Sequence, residues 1–74
     1  MKHINLIQKI LNEKNKKKIS EKKKLEEFVW DSMTMIALIT ILKDKYNKKN
    51  INLKKMRSLK TILDLDNFIN SYTK

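Results

Sequence analysis

The sequence predicts an all-α fold. We expect a small four-helix bundle, three longer helices plus one short helix, with a long loop between helices 1 and 2. Three observations carry this expectation. Apolar residues recur at helical spacing in several separate stretches. Glycine and proline are absent from all 74 residues, which a helical chain tolerates more easily than one built from tight hairpin turns. Polar, lysine-rich segments separate the apolar stretches, as loops between helices do.

The elements follow in order. Ile4, Ile7 and Leu11 fall at i, i+3 and i+7, with Leu6 and Ile10 beside them, so the first helix is expected over residues 2–14. Residues 15–30 read as the long loop, with Ile19, Leu25, Phe28 and Trp30 as its only anchors and with the lysine runs Lys16–Lys18 and Lys22–Lys24 solvated. The second helix is expected from Ser32 to Tyr46, with Met35, Leu38, Ile39, Leu42 and Tyr46 facing the core. Met33, Ile36, Ala37 and Ile41 populate its other faces, which marks a helix that is either central or offers a second contact surface. After the polar turn Asn47–Asn50, Ile51 and Leu53 suggest a short extended entry, and Leu53, Met56 and Leu59 line a short third helix over 53–58. Thr61 is placed to cap a last helix over 62–73, with Ile62, Leu65, Phe68, Ile69 and Tyr72 at helical spacing. Asp64 and Asp66 lie in its early turns and Lys74 at its end, where the helix dipole favours acids and bases respectively.

Composition excludes several classes of function. A chain of this length is one domain, close to the lower limit for folding unaided. Without cysteine there is no disulfide, thiolate metal site or catalytic thiol. The single histidine, His3, has no partners at metal-site spacing and reads as a solvated helix-end residue. No apolar run approaches the ~20 residues of a membrane span, and Asn5, Gln8 and Lys9 interrupt the first apolar residues, unlike a signal peptide. A cytoplasmic monomer is the expectation. No base and nucleophile are spaced to work together, which argues against a free-standing enzyme.

The net charge of +10 raises nucleic acid as a partner. The excess is almost all lysine, with Arg57 the only arginine. Nucleic-acid readers more often use arginine, whose planar fork binds phosphate and guanine bidentately. Lysine, asparagine and isoleucine are also the residues that AT-rich coding favours. A basic helical nucleic-acid-binding module is therefore the alternative reading.

Asp31-Ser32-Met33 opens the most apolar helix. Short polar side chains before an apolar run are a common helix start, because they satisfy the first N–H groups. Asp31 stands at the N-cap position, and Ser32 would present its hydroxyl from the first turn of a rigid element.

The segment Leu25-Glu26-Glu27-Phe28-Val29-Trp30-Asp31-Ser32-Met33 resembles the prosthetic-group attachment site of acyl carrier proteins, in the Trp-Asp-Ser-Leu form of a subset of that family. Thr61-Ile62-Leu63-Asp64-Leu65-Asp66-Asn67-Phe68-Ile69 is similar to the family's ending, Thr-(Val/Ile)-x-Asp-(Leu/Ile)-x-x-(Phe/Tyr)-Ile, and Tyr46 falls where the family has an aromatic closing its second helix. The resemblance covers most of the chain, from Leu25 to Ile69, and more loosely the first helix. It implies one acyl-carrier-like domain over 1–74 with 4′-phosphopantetheine attached covalently to Ser32. Asp31 would be the motif's acid and helix cap, and Met33, Ile36, Ala37 and Lys43 the partner contacts, with ordinary core packing the alternative for Ile36. The implied partners are a phosphopantetheinyl transferase and acyl-activating or acyl-transferring enzymes. The implied role is to shuttle acyl or aminoacyl groups as thioesters. The interior lined by Met35, Leu38, Leu42 and Phe68 reads as core rather than as an acyl shelter.

The chain departs from the family at three points. Met33 replaces leucine, a change between similar apolar volumes. Asp66 stands where an apolar residue is common. The second helix, acidic in most of the family, carries Asp44 as its only acid after Asp31, beside Lys43 and Lys45. Complementary potentials then imply partners with acidic docking faces.

Overall fold

A computed structural model of the protein describes residues 1–73; the expectation for Lys74 lies outside them. The described chain is all-helical: α1 (Ile4–Leu11), α2 (Ser32–Asp44), α3 (Leu53–Ser58) and α4 (Ile62–Thr73). The radius of gyration, 11.2 Å, equals the ~11 Å of a compact domain of this length, so the surplus of positive charge does not expand the chain. α1 packs on both α2 and α4. Ile7, Leu38, Leu42, Met56, Ile62, Leu65, Phe68 and Ile69 fill the interior, joined by Ile19 and Leu25 from the α1–α2 connection. Thus every helix contributes to a single core.

α1 is shorter than the expected 2–14 at both ends. Asn12 adopts the left-handed conformation (φ 55°, ψ 37°). The Asn12 N–H donates to Lys9 O (3.3 Å) and the Glu13 N–H to Gln8 O (3.0 Å). This pair of bonds is a Schellman stop, in which asparagine takes the place usually held by glycine. Asn47, just past α2, has the same φ of 55°, so among the described residues of this glycine-free chain asparagine stands at both left-handed positions.

The start of α1 is set from the far end of the sequence. The buried Asp66 carboxylate accepts the Lys2 N–H (Oδ2, 3.3 Å) and the His3 N–H (Oδ1, 2.8 Å). Asp66 is therefore not chiefly a partner of the α4 dipole; it receives N–H groups that no helical carbonyl can take. His3 is half-buried rather than solvated, its Nε2 lying 3.3 Å from Asn70 Oδ1 and 3.2 Å from Thr73 Oγ1.

The α1–α2 connection holds two 3-10 turns, Lys16–Lys18 and Leu25–Glu27. It is bonded to the entry of α4: the Leu25 N–H donates to Lys60 O (2.7 Å), the Ile62 N–H to Lys23 O (2.9 Å) and the Leu63 N–H to Glu21 O (3.1 Å). Lys24 and Thr61 form an isolated antiparallel bridge between them. The lysine runs remain exposed, and Lys23–Glu27, at 3.7 Å, is the one ion pair among the described residues.

α3 and α4 have the expected bounds because their caps are spelled out locally. Asn52 Oδ1 accepts the Lys55 N–H (2.9 Å). Thr61 Oγ1 accepts the Asp64 N–H (3.1 Å) while Asp64 Oδ2 accepts the Thr61 N–H (3.1 Å), a reciprocal capping box with aspartate in the glutamate position. The Tyr72 hydroxyl accepts the Asn52 N–H (2.7 Å), which joins the end of α4 to the start of α3.

Candidate functional site

The site is built from the backbone before α2. Asp31 is extended (φ −127°, ψ −172°), and its Oδ1 accepts the Thr34 N–H at 3.0 Å. The Thr34 hydroxyl lies 2.9 Å from Val29 O and 3.0 Å from Asp31 Oδ1, and its one proton serves one of them at a time. The Met35 N–H closes the first turn on Asp31 O at 3.0 Å. Thr34 is buried beneath this arrangement. The N–H of Thr34, and after it the Thr34 hydroxyl, hold the Asp31 carboxyl below the usual aspartate range. The result is a fixed cap on which Ser32 and Met33 are the first two helical residues, both exposed.

The surroundings of Ser32 are apolar and wet. Met33 is 80% exposed, Ile36 59% and Val29 61%, and Ala37 is also exposed. Core packing is therefore not the role of Ile36. Lys43 is exposed too, eleven residues beyond Ser32 and so about 20° round the helix and about 16 Å along it. Ser32, Met35, Ile36 and Ile39 form one wall of a groove of ≈ 190 Å³; Leu53, Met56 and Arg57 of α3 form the other. Among the expected core residues of α2, Leu38 and Leu42 are sealed, whereas Met35, Ile39 and Tyr46 are half-buried. Met35 thus faces the groove as well as the core. Leu38, Leu42 and Phe68 are core.

The structure brings together Asp31, Ser32, Met33, Ile36 and Ala37 at one end of α2 and sets Lys43 at the other. Val29, Leu53 and Arg57 join the site without having been expected there, and Thr34 supports it from below. Spacing offered a signal for the α3 wall: Leu53, Met56 and Arg57 are i, i+3 and i+4 on a helix, hence one face. Thr34 offered little, because a threonine between two methionines does not reveal which way it turns.

Three roomier clefts lie away from the serine; the one at the end of α1, of ≈ 340 Å³, is walled by polar side chains, and two have apolar walls. One, of ≈ 400 Å³, runs between α1 and the end of α2, with Leu6, Ile41 and Tyr46 among its walls and Lys9, Asp44 and Lys45 at its rim. The other, of ≈ 440 Å³, lies beside Trp30 with Lys24, Lys60 and Thr61. Trp30 Nε1 is buried with no hydrogen-bond partner. Among the described residues no three His, Asp or Glu side chains are placed to hold a metal ion, and no helix is long and apolar enough to cross a membrane.

No family model matches the chain, and neither a curated protein nor a solved structure is similar to it at a significant level.

Proposed function

We propose that this protein is an acyl or aminoacyl carrier whose single domain, residues 1–74, holds 4′-phosphopantetheine on Ser32. One observation carries the reading. Ser32 is an exposed residue on the first turn of a thirteen-residue helix, on a cap fixed by Asp31 and Thr34, with unburied apolar side chains around it. A modifying enzyme needs a nucleophile that is accessible and held still, and an apolar surface left in water is what a docking partner covers.

The residues present fit the group. An arm ending in phosphate would join at a helix N-terminus, where free N–H groups and the dipole favour an anion, and the groove beside Ser32 is open along α3. The group supplies the thiol that this cysteine-free chain lacks. In loading, the Ser32 oxygen would bond to the phosphorus that carries the pantetheine in coenzyme A, the pyrophosphate P–O bond would break, the serine proton would pass to a base on a phosphopantetheinyl transferase, and adenosine 3′,5′-bisphosphate would leave. Met33, Ile36, Ala37 and Lys43 contact the transferase and the acyl-activating or acyl-transferring enzymes that follow. Asp31 keeps the helix start in place. The long connection before α2, pinned through Leu25 to Lys60, delivers the serine to the surface. The setting for this exchange is the cytoplasm, where coenzyme A is made and used.

The test is intact-mass measurement after incubation with coenzyme A and a broad-specificity transferase proven on a control carrier. The wild-type chain is expected to gain roughly 340 Da on its serine and Ser32→Ala to gain nothing. A wild-type chain that stays unmodified would overturn the proposal. A second reading, a basic helical nucleic-acid binder, is favoured by the +10 charge and the exposed lysine runs. It requires salt-sensitive binding to DNA or RNA that survives at physiological ionic strength.

A further inference from the structure

The α2–α3 groove has one charged side chain in its lining, and it is a cation. Arg57, the only arginine, lines the groove with Ser32. Lys43 extends the Ser32–Ile36 stripe toward the other end of α2. Both cations are exposed, and neither is ion-paired among the described residues. Of the acids of this helix, Asp31 keeps its charge at the cap, with its carboxylate held on the Thr34 N–H, and Asp44 borders the cleft toward α1, on another side of α2. The exposed Ile36 lies on this strip between Ser32 and Lys43, and the more exposed Met33 flanks Ser32 about 100° round the helix.

We propose that this strip docks the loading transferase through carboxylates on the enzyme, one group meeting Arg57 near the serine and one meeting Lys43 about 16 Å along the helix, with an apolar surface covering Ile36 between them and Met33 beside the serine. The proposal rests on the carrier reading and adds to it the chemistry of the partner's surface and a contact from α3. Arg57 is a positioning residue: its guanidinium takes a carboxylate bidentately and sets how the enzyme sits over the serine. Buried apolar contact supplies the affinity, while the paired charges select the partner and speed encounter.

The experiment measures loading of the full-length chain by the transferase of the same host, as KM and kcat, for wild type, Lys43→Glu, Arg57→Glu and Lys17→Glu. Lys17 makes the same charge change on an exposed turn outside the strip. Circular dichroism confirms the fold of each. The two strip variants are expected to raise KM about tenfold with kcat within about twofold, against less than about twofold in KM for Lys17→Glu. Raising salt from about 0.05 to 0.3 M is expected to weaken the wild type more than Arg57→Glu. Strip variants that match Lys17→Glu, or that load faster than wild type, overturn this proposal and leave the carrier reading standing. A wild type that takes no mass, with the control carrier loaded, overturns the carrier reading and this inference with it. Binding of a short DNA duplex at about 0.15 M salt, lost in both strip variants and kept in Lys17→Glu, assigns the strip to phosphates and overturns the proposal.

Discussion

α2 and α4 are almost the same length, thirteen and twelve residues, and both are rich in apolar side chains. They use them differently. α4 buries Ile62, Leu65, Phe68 and Ile69, and even its Asp66 is turned inward to receive N–H groups from the chain's start. α2 seals only Leu38 and Leu42 fully among its apolar residues and leaves Met33 and Ile36 in water. In a domain this small, apolar side chains left outside the core add little to stability. α4 is the helix that holds the bundle together, and α2 is the helix that the bundle displays.

Substitution at matched positions breaks or sharpens this contrast. Phe68→Ala removes a side chain that is 1% exposed and packs on Tyr72 at 5.0 Å between ring centroids. The expected cost is about 3–5 kcal/mol. A domain of this length has about 4–11 kcal/mol in all, so the variant should be largely unfolded in moderate urea. Ile36→Ser, by contrast, is expected to change stability by less than about 0.5 kcal/mol while slowing transferase loading. Urea titration followed by circular dichroism gives both numbers. Equal costs at the two sites would mean that the α2 face is packed in solution and would remove the basis of the proposed site.

Asp66 tests the same contrast at the polar level. Asp66→Leu leaves the Lys2 and His3 N–H groups without their acceptor. The expected cost is about 1 kcal/mol, at the lower end for a lost buried partner because water reaches the exposed Lys2. Asp66→Asn keeps an acceptor oxygen and should lose less. The measurement is the melting temperature, and an Asp66→Leu variant as stable as wild type would show that the start of α1 is held by its apolar stripe alone.

Much of this was legible in the sequence, for reasons that differ by element. The bounds of α3 and α4 follow from caps whose donor and acceptor lie within three residues of each other, Asn52 with Lys55 and Thr61 with Asp64. The end of α1 was not legible. Lys and Glu continue a helix readily, and the stop depends on Asn12 entering a conformation that asparagine permits without requiring. The start of α1 and the role of Asp66 depend on contacts more than sixty residues apart in the chain, which periodicity cannot register. At the site, Ser32 is exposed as a residue just after an N-cap is expected to be, whereas the exposure of Met33 was left open by a helix with apolar residues on several faces. Arg57 and Leu53 were not expected at the site because a groove belongs to two helices, and a sequence pattern describes one at a time.

The smallest expected effect compares the two caps. Asp31 and Asp64 are both held below the usual aspartate range, Asp31 chiefly by the Thr34 N–H and Asp64 chiefly by the Thr61 N–H. A depressed carboxyl stabilises the fold fully above its unfolded pKa, about 3.9, and loses that contribution as pH falls through the lower folded value. The melting temperature should therefore be flat from neutral pH to about 5 and fall below about 4. Acid also raises the positive charge of the whole chain, so the slope of the wild type alone mixes self-repulsion with capping. Asp31→Asn and Asp64→Asn separate the two, because each removes one cap's titration and leaves every other acid in place. Asp64 accepts two backbone N–H groups, from Lys60 and Thr61, beside the bridge that binds the α1–α2 connection to α4, whereas Asp31 accepts one backbone N–H and faces a hydroxyl. Asp64→Asn should flatten the acid limb more than Asp31→Asn. The reverse order would mean that the exposed end of α2, rather than the entry to α4, governs how the bundle opens in acid.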